Sequence, residues 1–177
     1  MSKEDKELFG GWIQAIGTIL SAIANTPPHF GLSQTISQDL KVVGNTMQAT
    51  GNALAVDKLS QKDLSDVGNA IQSIGNLTVI GSLKFPVSNQ LKQGLNIKGN
   101  LLQALGSGIS FSDSLKDSFQ ISTIYNAYGN LLQAIGNSMQ ALASKAGSNS
   151  TMMNTIGNWI QAIGAIMTAI SESLEKL

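Results

Sequence analysis

The chain contains no cysteine, which excludes disulfides, thiolate nucleophiles and thiolate metal sites together. It contains no arginine either, the residue whose planar fork best fits phosphates and base edges. Its 11 lysines are matched by 11 acidic residues. The basic excess that drives nucleic-acid binding is therefore missing, and no nucleic-acid partner is expected. The single histidine, His29, cannot build a multi-histidine metal cluster. Charge of both signs is scarce, 12% of 177 residues, about half of the ~25% usual in soluble domains. None falls between Leu8 and Gln38, and between Ser118 and Ser171 there is only Lys145. Helices this neutral are buried, present amides to water, or meet another subunit or a lipid surface.

Long hydrophobic runs are missing too. Residues 8–24 end in Ala22-Ile23-Ala24, which has the form of a cleavage site. The preceding Ser2-Lys3-Glu4-Asp5-Lys6-Glu7, however, lacks the net positive charge of a secretory leader. The same apolar pattern returns at residues 157–171, where it cannot be a leader. The best windows are interrupted by Gln and Gly and fall short of the ~20 strongly apolar residues of a membrane span. On these grounds a cytoplasmic location is expected.

What the chain does have is a repeat. A unit of the form Gly-Asn-x-apolar-Gln-Ala-apolar starts at Gly10, Gly44, Gly68, Gly99, Gly129 and Gly157. Comparing unit one with four, two with five and three with six gives offsets of 89, 85 and 89 residues. These offsets suggest one domain over 1–177 with an internal duplication of 1–88 and 89–177. Counting the first Gly as position zero and advancing 100° per residue places positions three, six, ten and thirteen on one face. In the fifth unit these are Leu132, Ile135, Met139 and Leu142, and in the sixth Ile160, Ile163, Met167 and Ile170. This spacing predicts amphipathic helices of about 15–24 residues whose apolar stripe forms a bundle core. The opposite face is a ridge of Gly at zero and seven and Gln at four and often eleven, flanked by Asn. A Gly inside a helix costs about 1 kcal/mol relative to Ala, so twelve repeat positions imply on the order of 10 kcal/mol. Close helix approach and amide hydrogen bonds are the candidates to offset it.

The connectors hold the helix breakers and most of the charge. Asn25-Thr26-Pro27-Pro28 with Gly31, and Pro86 with Gly94, mark stops. Ser60 or Ser65 is positioned to cap the third helix. Short connectors predict antiparallel neighbours. Glu172, Glu175 and Lys176 read as a polar finish to the last helix.

Candidate chemistry is thin. His29 has no marked acid or nucleophile as partner. Asp57, Asp63 and Asp66 alternate with Lys58 and Lys62 and lack the ligand spacing of a divalent-cation loop. Gly10-Gly11 and Gly106-Ser107-Gly108 lack the Lys-Ser/Thr of a phosphate loop. No Gly-x-Ser-x-Gly elbow occurs. Trp12 and Trp159 share one repeat position in the terminal units, which suits rim packing or anchoring at a membrane interface. No catalytic, cofactor-binding or metal-binding residue is assigned, and no cofactor is expected.

The unit, fullest in Gly-Asn-Trp-Ile-Gln-Ala-Ile-Gly at 157–164, resembles a group of repetitive proteins of Bacillus-type bacteria that form a family of unknown function. All six units share the resemblance. It implies a bacterial source and carries over no activity, cofactor or site residue.

The expected fold is all-α: six amphipathic helices in an antiparallel bundle, with two pseudo-symmetric three-helix halves or an α-solenoid of three hairpins as variants. The leading expectation for function is a non-enzymatic structural or protein-interaction protein that self-associates through its Gly/Gln ridges. The alternative is a membrane-active helical protein, pore-forming or bacteriocin-like. An enzyme or carrier with a cavity in the bundle is a third.

Overall fold

The computed structural model describes residues 1–27, 31–56, 64–116, 118–146 and 150–176. Among these residues there are six helices and no strand: α1 (Lys3–Ala24), α2 (Gln34–Ala55), α3 (Leu64–Lys84), α4 (Asn89–Ser114), α5 (Ile121–Ala143) and α6 (Ser150–Glu175). Their 21 to 26 residues make rods of about 32–39 Å at 1.5 Å per residue. Three start on serine caps. Ser2 forms a reciprocal capping box with Asp5, and Ser33 and Ser88 accept from Ile36 and Leu91 N–H. Ser65 is no cap; it lies inside the first turn of α3, where its backbone N–H donates to Asp113 at 3.0 Å. Ser60 falls outside the described residues.

Each helix packs mainly on its neighbours in the chain, and α1 also packs on α6. The six therefore close into a ring, with no helix at its centre. Directions alternate, so the starts of α1, α3 and α5 lie at one end with the finishes of the others.

Glycine sets the pairing inside this ring. A methyl group built on Gly10 would sit 2.6 Å from Gly51 O, and one on Gly17 2.6 Å from Gly44 O. The same reciprocal contact joins Gly68 to Gly106, Gly75 to Gly99, Gly129 to Gly164 and Gly136 to Gly157. All twelve glycines at positions zero and seven are spent this way, two pairs per hairpin. Backbones that approach this closely gain dispersion and Cα–H···O contacts, which offset the intrinsic cost of Gly in a helix.

The face that turns inward is not the one predicted. Leu132, Met139, Ile160, Met167 and Ile170 are only half-buried, while Ile135, Leu142 and Ile163 are 42%, 61% and 51% exposed. The apolar stripe lies outside. The buried apolar residues are alanines and Val79, and the largest fully buried side chains are Gln48, Gln133, Asn52, Asn76 and Asn137. The physical reason is the glycine contact: only the Gly/Gln ridge lets backbones meet, so it must face the partner helix. Gln and Asn beside it are then carried inside.

Candidate functional site

The inward ridges enclose an axial polar lumen. Every helix supplies one glutamine at position four: Gln14, Gln48, Gln72, Gln103, Gln133 and Gln161, all at most 8% exposed. Antiparallel pairing brings the six near the mid-plane. Helical side chains lean toward their own N-terminus. The trio from α1, α3 and α5 therefore faces one end, and the trio from α2, α4 and α6 faces the other.

Hydrogen bonds tie the trios into a plug. Gln14 Nε2 donates to Gln133 Oε1 at 2.7 Å. Gln161 Nε2 donates to Gln48 Oε1 at 2.9 Å and to Gln103 Oε1 at 3.3 Å, and Gln161 Oε1 accepts from Gln140 Nε2 at 2.8 Å. Gln72 Oε1 accepts from Ser107 Oγ at 3.1 Å. Among the described residues no charged group hydrogen-bonds to this plug. It can exchange hydrogen bonds with water or a small polar solute, but it offers no acid–base pair.

A cavity of about 100 Å³ lies on each side of the plug. One is walled by Asn45, Asn100, Asn158 and Asn25, with Lys41 at its edge. The other is walled by Asn69, Asn126 and Asn130, with Glu7, Glu172 and Glu175 at its edge. The ends of the barrel differ accordingly. Glu4, Asp5, Glu7, Asp66, Asp113, Glu172 and Glu175 gather at the end holding both chain termini, together with Lys3, Lys6, Lys116 and Lys176. The far end carries Lys41, Lys84, Lys92 and Lys145 against Asp39 alone. At the acidic rim Lys176 Nζ donates to Asp5, and Ser2 caps the same carboxylate. These bonds hold the Asp5 carboxyl down at about 2.

The tryptophans mark the same two levels. Trp12 Nε1 donates to Ser173 Oγ at 3.1 Å near the acidic end, and Trp159 Nε1 donates to Thr26 Oγ1 at 2.9 Å near the basic end. Both bonds cross the α1–α6 seam.

Other sequence candidates disperse. His29, Asp57, Lys58, Lys62 and Asp63 lie outside the described residues. Gly10-Gly11 and Gly106-Ser107-Gly108 are inside α1 and α4, not in loops. Among the described residues no group of three or more His, Asp or Glu side chains is placed to hold a metal ion. Glu172 is the residue that periodicity missed. It reaches back from the end of α6 to the side of Gly11. The available signal was the first unit itself, which has Gly11 where the other five have Asn.

One family model, described as a family of unknown function (DUF6944), matches residues 5–169. No curated protein and no solved structure matches the chain.

Proposed function

We propose that this chain, which belongs to that family of unknown function, is a non-enzymatic, membrane-embedded helical barrel whose polar lumen passes water or small polar solutes. One observation carries the reading: polarity is inverted. The largest fully buried side chains are amides, while large hydrophobic residues are exposed on all six helices. Exposed apolar surface all around a molecule needs a cover, and rods of about 32–39 Å match the ~30 Å hydrocarbon core of a bilayer. Trp12 and Trp159 stand about 21 Å apart along the axis, counting fourteen residues from Trp12 in α1 to Thr26 just past its end. Each leans toward its own end, as interfacial tryptophans do. Among the described residues α1 alone is long and apolar enough to cross a membrane by composition. In a barrel the other five need only an apolar outer face, since their polar faces line the lumen.

Glutamine hydrogen bonds close the lumen, so passage requires the two trios to part. The reading involves no nucleic acid. It is tested by making the full chain in a bacterial host, the source that the repeat's resemblance implies, and purifying it in detergent. Reconstituted protein should float with liposomes, resist alkaline extraction and speed osmotic water efflux. A protein that stays monodisperse in detergent-free buffer and ignores liposomes would overturn the proposal.

Lys98 supports a second reading. It is exposed on α4 beside Gly99, well inside the band a membrane would cover, and reaches a headgroup only by snorkelling. In an interaction protein of the cytoplasm the same apolar faces would be covered by further copies of the chain. Self-association through the Gly/Gln ridges themselves would require the hairpins to open, because those ridges are buried within one chain. Light scattering in detergent-free buffer separates the two readings. A defined oligomer there favours the second.

A further inference from the structure

Five of the six repeat units begin Gly-Asn, and the first begins Gly10-Gly11. Where the others place an amide beside the lumen, α1 has only a hydrogen. The carboxylate of Glu172, from the last turns of α6, fills that space. A methyl group built on Gly11 would collide with Glu172 Oε2 and lie 2.8 Å from its carboxyl carbon. The substitution of Gly for Asn is thus matched by a second residue, 161 positions away, that brings a carboxyl group to the ring of amides.

Glu172 Oε2 is buried and has no hydrogen-bond partner. Burial first, and then the neighbouring Glu7 and Glu175, push this carboxyl well above the usual range, so its charged form needs a cation to meet it. The nearby cations are engaged elsewhere: Lys3 with Glu7 at 3.5 Å, and Lys176 with Asp5. The other carboxylates facing the site are Glu7 of α1 and Glu175 of α6, with Glu4 of α1 in the adjoining rim cavity and Asp66 of α3 close to Glu7. Glu172, Glu7 and Glu175 line both the lumen cavity and an adjoining cavity of about 280 Å³ at the acidic rim. The carboxyl therefore stands where the rim passes into the lumen.

We propose that Glu172 is the cation site of this barrel: a monovalent cation such as potassium or sodium enters from the acidic rim, binds at Oε2, and gives the lumen a preference for cations over anions. The vestibule suits a monovalent ion better than a divalent one. Glu7, Glu172 and Glu175 line it together, but among the described residues no three carboxylates or histidines are placed to hold one metal ion between them, whereas calcium sites gather several carboxylates on the ion. The neighbouring Gln14, Asn130 and Thr168 offer neutral oxygens. Binding at Glu172 can occur in the purified protein; the selectivity rests on the conduit reading above.

The test separates the two. In detergent-solubilised full chain, the carboxyl stretching band lost in Glu172→Gln is titrated with pH, first in choline chloride and then in potassium chloride of equal ionic strength. Potassium at ten times its dissociation constant should lower the midpoint by about one pH unit, a tenfold shift in proton activity, because ion and proton compete for one oxygen. Should Glu172→Gln fail to fold, the wild-type melting temperature gives the same answer, since it should be higher in potassium than in choline. Equal midpoints and equal melting temperatures in the two salts overturn the site. In planar bilayers with a potassium chloride gradient, wild type should show a cation-selective reversal potential that Glu172→Gln loses. A selectivity unchanged in Glu172→Gln overturns the role in selection. A potassium shift with no current in any protein keeps the site and removes the conduit.

Discussion

The two sides of α5 carry opposite messages. One presents Gly129, Gln133, Gly136 and Gln140, all buried; the other presents Tyr128, Ile135 and Leu142, each exposed. In a water-soluble bundle these assignments would be reversed, and the polar side would carry Lys and Glu. Here the polar side carries no charge, only small residues and amides. The difference teaches that amphipathicity fixes the two faces of a helix but not which is inside. Residue size and charge decide that: a face of Gly and Gln can approach another backbone, and a face of Ile and Leu cannot.

The largest way to break this contrast is Gly136→Ala. Its new methyl would meet Gly157 O at 2.5 Å and Gln161 N at 2.7 Å, backbone atoms that cannot swing aside. We expect a loss of about 2–3 kcal/mol, as for overpacking a tight core, read by denaturant unfolding in detergent. A change below ~0.5 kcal/mol would mean that α5 and α6 do not meet through this ridge.

Gln133→Leu comes next. Leucine is similar in size and apolar, so a conventional core would welcome it. In this lumen it strands Gln14 Nε2, which donates to Gln133 at 2.7 Å, and removes the weaker contact to Thr168 at 3.4 Å. The expected loss is about 1–2 kcal/mol, since a buried donor is left unsatisfied. A stabilised Gln133→Leu would show that the interior behaves as an ordinary hydrophobic core.

Much of this could be read from the sequence, and the part that could not has a clear cause. The helices and the two stripes followed from a seven-residue spacing around Gly10, Gly44 and the later units, and their antiparallel order from the short connectors. The inside-out assignment did not, because periodicity is blind to sign: a stripe of Leu132, Ile135 and Met139 looks the same facing a core or a lipid. Two clues pointed the right way. The glycine cost demanded backbone contact, and the Gln/Asn face lacked charge. The plug was illegible because it joins residues such as Gln14 and Gln133 across 119 positions. Glu172 was hidden for the same reason, since its partner position, Gly11, is at the other end of the chain.

Gly108→Ala sharpens the contrast from the opposite direction. Gly108 is also helical, but a methyl group there would have nothing within 4 Å. The substitution should stabilise by about 0.5–1 kcal/mol, through lower chain entropy in the unfolded state and better helix propensity. Opposite signs at Gly136 and Gly108, in one assay, are what ridge packing requires. Destabilisation at both would point to glycine flexibility as the common need instead.

On the outer face the expected effect on folding is smaller still. Ile163 is 51% exposed, so Ile163→Ser should change stability in detergent by less than about 0.5 kcal/mol. The same variant should partition less well into liposomes, because a buried isoleucine side chain is worth about 1.5–3 kcal/mol of transfer. A large folding defect with unchanged partitioning would place Ile163 in a packed interior and move the apolar face back inside.

The last test concerns the rim, where water governs the chemistry and effects should be smallest. Asp5 is held at about 2, below the ordinary 3.8, first by the Lys176 hydrogen bond across the α1–α6 seam and then by Ser2 in its own capping box. A lowered folded value means that this contribution to stability is present above about pH 4 and disappears as pH falls through about 2. Because both side chains are exposed, the effect on overall stability should be slight. It is best followed locally, by the NMR shift of the Asp5 carboxyl carbon. Lys176→Ala should move that midpoint part of the way back toward 3.8, with Ser2 supplying the remainder. A midpoint that does not move would assign the whole depression to the cap, and the first and last helices would then be joined by Trp12, Trp159 and the lumen amides without help from charge.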